Sequence, residues 1–315
     1  MPEIIEQVQD PAVTKPTHRV VRIEVEVSQK KGEDGKKVHE TKIYDGLNVR
    51  FNVLKRRGVL RNKCNISVCN LNKEQIEYLT TINAWDAIPQ NMQKVMRVWA
   101  GYRDYTGKEN VGLIFEGDII RAIPTIGPDV WLECNCLSGF LNQLKTGKLQ
   151  MKGKLPIKDI CQQVATLLGL ELDWQASTTK KINGFYSCGA LTDMLKEIND
   201  LDEKTLMYQD GNTLVCVDQE PPEEQSDKDL KEGKQIRVYS QTSGLVGVPN
   251  PDPFGVKFKV LLDPSLKCGE AVQLQSELIP SANGVYWIYA IRHYGELRGQ
   301  TFYSDINARK YSHGG

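Results

Sequence analysis

Two stretches of this chain, 172 positions apart, read as the same β-hairpin, and a strand-rich unit carried twice constrains the fold more than any other feature. Residues 112–136 lie without a gap over residues 284–308. Gly112/Gly284, Ile119/Ile291, Gly127/Gly299 and Asn135/Asn307 are identical, Phe115 meets Trp287, and Trp131 meets Tyr303. In each copy an aromatic-rich strand enters a Gly-centred turn and a second aromatic strand leaves it. One module carried twice suggests an assembly part rather than an enzyme. The alternative is that any two hairpins share glycines and aromatics. If the matched aromatics point to different faces, the duplication reading fails.

With 315 residues, two or three domains can each hold a core. Lys+Arg and Asp+Glu both total 40, a balance in which nothing argues for bulk binding to nucleic acid or anionic membrane and which favours a protein living inside an assembly. Met1-Pro-Glu-Ile-Ile-Glu-Gln7 shows neither a basic nor an apolar leader region, and no apolar run has the length of a span, so neither a signal peptide nor membrane insertion is expected. The cysteines at 64, 69, 134, 136, 161, 188, 216 and 268 are scattered, as reduced thiols of a cytosol-made protein would be. Cys134 and Cys136 share a strand face but lack the second pair or nearby histidine of a zinc site.

Residues 1–18, with Pro2, Pro11 and Pro16, read as an extended arm. A first β-rich domain is expected over 19–136. It has strands at Val20–Val27 and Val49–Leu54 around an Asp-Gly loop (Lys30–Lys37), then strands at Asn65–Leu71 and Val95–Tyr102 and the first hairpin. Asn72 and Gln75 form a capping-box pattern for a short helix over 72–79. An α+β insert is expected over 137–235. Leu155–Gly169 reads as an amphipathic helix with Pro156 in its first turn, Gly169 past its end, and Ile157, Ile160, Cys161, Val164, Leu167 and Leu168 on one face. Ala190–Leu201 reads as a second helix and Leu206–Val217 as a strand, an Asp-Gly turn and a strand. The charged, proline-bearing loop 218–234 follows, and 236–315 is strand-rich again with a fraying tail from Tyr311.

Catalysis finds thin support. The four histidines, at 18, 39, 293 and 313, stand in no ligand or triad pattern, and no phosphate-binding or dinucleotide fingerprint occurs. The best acid pair is Glu116 with Asp118, whose spacing puts both carboxylates on one strand face, as a glycosidase needs. The competing reading is a solvated polar face with Gly117 marking a bulge. Lys55–Lys63 holds five basic residues; a hairpin tip or a salt-bridging protein contact suits it better than a phosphate track, because no aromatics interleave. Docking of the acidic loop 218–234 against this tip in a neighbouring subunit is a further option. No catalytic, cofactor-binding or metal residue is assigned.

From Ser240 to Leu274 the residues resemble the C-terminal module of phage baseplate hub proteins: Ser243-Gly-Leu-Val-Gly-Val-Pro249, a Gly-Val strand from Gly255, and Leu261-Leu-Asp-Pro-Ser-Leu-Lys-Cys-Gly269. The hairpin with His293-Tyr-Gly-Glu-Leu-Arg-Gly299 closes that pattern. Asn70-Leu-Asn72, Ala100-Gly-Tyr102 and Ile114-Phe-Glu-Gly-Asp-Ile119 are similar to the family's first half. The resemblance covers most of 20–136 and 240–310, more weakly the insert. It implies a mainly β chain with an α+β insert and two tail-tube-like β-barrel domains. It also implies a structural, non-enzymatic subunit of a trimeric hub in the virion tail, whose six modules join a hexameric tail tube or tube-initiator protein to a trimeric spike. DNA would only pass through the lumen, and a tape-measure protein is a further implied partner. Some hubs carry a fused lysozyme or spike domain, whereas this chain stops soon after its second β module. A cell-wall polysaccharide-binding or -cleaving tail protein using Glu116 and Asp118 is the alternative.

Overall fold

The computed structural model describes residues 18–30, 37–58, 61–80, 93–125, 127–140, 146–219, 236–253 and 255–310. The arm before residue 18, the Asp-Gly turn of the 30–37 loop, the acidic loop from 220 onward and the tail from 311 lie outside the described residues.

The first strand group runs β1 (His18–Lys30), β2 (Lys37–Asp45), β3 (Asn48–Arg56), β4 (Lys63–Cys69), β5 (Gln93–Arg103), β6 (Glu109–Thr125) and β7 (Trp131–Leu137). Alternation does the sorting. In β3, Val49, Phe51 and Val53 are buried while Arg50, Asn52 and Leu54 face outward. The strands lie in the order β2-β1-β5-β6-β7-β4-β3, every neighbour antiparallel. Their inward residues, from Val21 and Ile23 through Ile66 and Val98 to Leu132, form one shared core, so the sheet curls around it. After β4 comes α1 (Lys73–Leu79). The Asn72 side chain accepts from the Gln75 N–H and the Gln75 side chain from the Asn72 N–H, which is the capping box read from the sequence. β2 went unread there, where one loop was expected between two strands. Ile43 is 61% exposed and lies between Lys42 and the buried Tyr44, so the pattern lacks a clear apolar face.

The middle of the chain folds as β8 (Thr146–Pro156), α2 (Ile157–Leu168), β9 (Glu171–Trp174), β10 (Lys181–Ala190), α3 (Leu191–Leu201), β11 (Thr205–Asp210) and β12 (Thr213–Asp218). β8 pairs with β10, and β12 lies between β11 and a parallel β9. α2 and α3 cover a second core of Ile160, Cys161, Val164, Met194, Ile198 and Leu214. Two local expectations are corrected. Pro156 does not sit in the first turn of α2; its backbone is extended (φ −63°, ψ 144°) and ends β8. Leu167 does not join the buried face and is 41% exposed. Gly169 closes α2 in the left-handed region (φ 72°), as its position implied.

The second strand group comprises β13 (Arg237–Tyr239), β14 (Leu245–Asp252), β15 (Gly255–Leu261), β16 (Ala271–Leu274), β17 (Gly284–Glu296) and β18 (Phe302–Arg309) around a third core that includes Val256, Tyr286 and Ile306. Its spatial order, β14-β15-β18-β17-β16-β13, repeats β3-β4-β7-β6-β5-β1 of the first group strand for strand and in the same chain order. Among the described residues β2 has no counterpart, and β13 runs parallel to β16 where β1 is antiparallel to β5.

The expected hairpins are β6–β7 and β17–β18, but the gapless match holds only in their second strands. Asn135 and Asn307 each sit opposite the residue just after a β-bulge, at Arg121 and Ala290 respectively. The bulge that an offset of 172 would place at Arg292 falls three residues earlier, at Tyr289. Trp131 and Tyr303 both face outward, but Phe115 enters the first core while Trp287 lies outside the third. The gapless duplication of residues 112–136 in 284–308 therefore fails, with the first strands three positions out of step; what repeats is the order of the strands.

Candidate functional site at the junction of the two strand groups

Seven residues of β17, Ala290 to Glu296, pair with β3 from Arg56 back to Arg50, so the two strand groups form one continuous antiparallel sheet. β17 can do this because β16 covers only its first residues, leaving the remainder of that edge open. The joint is keyed by side chains. Phe302, at the start of β18, is 1% exposed and belongs to the first group's core. Its ring meets Phe51 edge-on at 5.6 Å and Tyr102 at 5.3 Å. The Arg19 guanidinium stacks 5.3 Å from the same ring and donates to the carbonyls of Glu296 (3.0 Å), Gln300 (3.1 Å) and Gly299, gripping the β17–β18 turn.

The Ala100-Gly-Tyr102 motif acquires a physical reason here. Ala100 is fully buried, and Tyr102 donates to the Phe302 carbonyl at 3.3 Å. At Gly101 a Cβ would overlap the Asn110 carbonyl oxygen and lie 2.8 Å from the Val111 Cα. The second motif, Leu261–Gly269, is divided between the groups. Leu262 joins the first core and Leu266 the third, and Pro264 lies where a Cβ at Gly112 would meet it at 3.0 Å.

Behind the joint runs a polar chain. Arg237 pairs with Asp263 at 2.6 Å, Tyr239 donates to the same carboxylate at 2.9 Å, and Ser265 donates to its other oxygen. Burial would raise the Asp263 carboxyl, but Arg237, Ser265 and Tyr239 hold it below the usual range. The Asp263 N–H donates to Ser304 Oγ at 3.2 Å, and that hydroxyl meets His293 Nδ1 at 2.8 Å. His293 is fully buried, and desolvation, aided by nearby Lys55, pushes its pKa down to about 3. Sequence reading gave this histidine no role. Its signal was its place in the strand alternation.

The acid pair does not form an open catalytic cleft. Glu116 lies across from Arg97 in the β5–β6 ladder and bonds it at 2.8 Å, while the same guanidinium holds Glu26 at 2.9 Å. Burial works against the Arg97 charge, yet the two carboxylates outweigh it and raise its pKa. The β11–β12 turn covers this face, with Gly211 placed so that a Cβ would lie 3.0 Å from Glu116 Oε2. Asp118 is 5% exposed and faces Arg61, whose own pKa burial lowers against the carboxylate's pull.

The basic stretch is engaged within the chain. Arg57 stacks 5.1 Å from the Trp287 ring and donates to the Asp218 carbonyl, and Arg61 donates to the Gly139 carbonyl. Asn62 donates to Asp210 Oδ1 at 2.8 Å. Cys134 and Cys136 both turn into the core, Cys136 against Met96, and burial raises both thiols. Among the described residues no helix is long and apolar enough to cross a membrane.

This architecture, two like strand groups fused in one sheet with an α+β cluster between them in the chain, is similar to that of solved tail proteins. The 43 kDa tail protein of prophage MuSo2 from Shewanella oneidensis is similar with a TM-score of 0.56 at 9% identity, over 90% of this chain and 96% of that one. A tail protein from Neisseria meningitidis MC58 gives 0.57 at 10% identity, over 93% and 97%. A chain of the Francisella PdpA-VgrG complex gives 0.54 at 8% identity, over 95% of this chain and 59% of that one. No curated protein sequence matches. The model of the baseplate hub gp41 family matches residues 20–308, and the chain belongs to that family. It is thus a mainly β phage tail protein of the baseplate hub.

Proposed function

We propose that this chain is a structural, non-enzymatic hub subunit that assembles as a homotrimer. Each copy supplies two tail-tube-like barrels, so three copies present six like modules in a ring. Such a ring meets a hexameric tail tube or tube-initiator protein on one side and a trimeric spike on the other, and surrounds a channel through which DNA leaves. A tape-measure protein is a further partner, and the site of action is the baseplate of the virion tail. The domain division that goes with this is an arm (1–18), a first barrel (19–136), an α+β insert with its acidic loop (137–235) and a second barrel (236–315).

The observation that carries the reading is the repeated strand order joined rigidly through β17 and β3. A ring of alternating modules needs a fixed angle between the two that share a chain, and Phe302 and Arg19 supply it. The test is the mass of the purified chain by light scattering, with projection images. Three times the 35.6 kDa chain mass and a ring with sixfold modulation are expected. A species that stays monomeric even with its spike partner added overturns the proposal. The polysaccharide-cleaving alternative has no observation in its favour, because Glu116 is committed to Arg97; loss of peptidoglycan cleavage in Glu116→Gln would restore it.

A further inference from the structure

We propose that the β8–β10 ribbon of the insert is a binding surface for the backbone of duplex DNA. This goes beyond the hub reading and does not rest on it. The ribbon has two unlike faces. Leu149 and Phe185 turn into the insert's core, with Met151, Leu155 and Ile182 packed against it. The exposed residues include Lys148, Lys152, Lys154 and Lys181, together with Gln150, Asn183 and Tyr186. Neither strand carries an aspartate or glutamate. The chain as a whole balances 40 cationic against 40 anionic residues, so this is a local segregation that the total conceals.

The lysines form no ion pair among the described residues, and several carboxylates of the insert bond to other groups. Asp173 accepts from Gln175, Asp193 from Lys196, Asp202 from Thr178 and Thr205, and Asp218 from Ser177. Lys180, next in sequence, is committed to the Leu201 carbonyl at 2.6 Å. Tyr186 is 62% exposed, with the Lys148 ammonium 5.8 Å from its ring centre, so a large flat side chain stands among the cations.

The shape favours duplex. Among the described residues β8 and β10 pair only with each other, giving a ribbon two strands wide. Strands lie about 4.8 Å apart, and a major groove about 12 Å wide admits such a ribbon with its side chains. Gly153 and Gly184, both at positive φ, lie within the register shift between Asn183 and Phe185, a bulge that bends the ribbon as a curved groove needs. With lysines alone and no arginine fork, the contact is with phosphates and carries no sequence preference.

The experiment uses the full chain and a labelled mixed-sequence duplex of about two helical turns, followed by fluorescence anisotropy between about 50 and 200 mM salt. The expected dissociation constant is roughly 10⁻⁴–10⁻⁶ M, with a log–log salt slope of about −3 to −4 for four lysines. Each single Lys→Gln change at 148, 152, 154 or 181 is expected to reduce the slope by about 1, and the fourfold variant to abolish binding. Arg56→Gln with Lys63→Gln leaves the slope unchanged. Circular dichroism confirms that the variants remain folded. No binding at the lowest salt, or a slope indifferent to the four lysines, overturns the proposal. Displacement of the duplex by polyglutamate of equal charge and concentration also overturns it, in favour of an acidic protein partner.

Discussion

His293 is a group whose environment sets a measurable property of the whole chain. The native state keeps its ring neutral, with a pKa of about 3, while an unfolded histidine takes up a proton near the ordinary 6.5. The unfolded state therefore binds more protons between those values. The contribution is fully present above 6.5 and is lost as pH falls towards 3, by about 1.4 kcal/mol per unit. Urea unfolding at pH 7.5 and 5.0 should show the loss, and His293→Gln should flatten it; an unchanged pH slope in that variant contradicts the assignment. Arg97 sets the reverse problem. Replacing it with alanine leaves Glu26 and Glu116 without their shared cation, and a cost of about 1–2 kcal/mol is expected because the site is only partly exposed. Glu116→Gln, which keeps a hydrogen-bond acceptor, should cost less.

At the scale of the element, close approach of backbones decides where glycine is required. Gly101 lets β5 meet β6, and Gly255 does the same for β15 against the Ala308 carbonyl of β18. A methyl at Gly101 forces the strands apart, so Gly101→Ala should destabilise the chain by roughly 1–3 kcal/mol in chemical denaturation. A neutral result would show that β5 and β6 can separate freely. The same scale explains what sequence reading recovered and missed. The capping box at Asn72 and the left-handed end at Gly169 were legible because their chemistry is complete within a few residues. β8 and β10 were not, because lysines and the glycines at 147, 153, 184 and 189 break the apolar alternation that marks a strand.

At the scale of the whole molecule, the two strand groups are held together by contacts between residues far apart in the chain. Arg19 and Gly299 lie 280 positions apart, and Tyr102 and the Phe302 carbonyl 200. Phe302→Ala should cost about 3–5 kcal/mol, because it empties a site in the first core while breaking the second group's hold on it. Differential scanning calorimetry should then resolve separate transitions where the native chain shows one for both strand groups. A variant that keeps a single transition with an unchanged midpoint would show that the shared β17–β3 ladder alone fixes the joint.

The sequence by itself determined the class of the chain. Alternation, turn chemistry and motif order are local properties, and they were enough to mark two strand-rich halves, an α+β insert and a likeness to baseplate hub proteins. It also singled out the second strands of the two hairpins, where Asn135 and Asn307 do correspond. Only the tertiary structure decided the rest. It set the first strands three residues out of step, matched six strands of one group to six of the other, and closed the Glu116 and Asp118 face under the β11–β12 turn. It also sent Phe302 from one group into the core of the other and gathered four lysines on one ribbon. The physical reason is common to all of these. Burial and pairing act between residues that meet in space, and a one-residue bulge or a remote partner changes which face a side chain takes without leaving a mark in its own neighbourhood of the sequence.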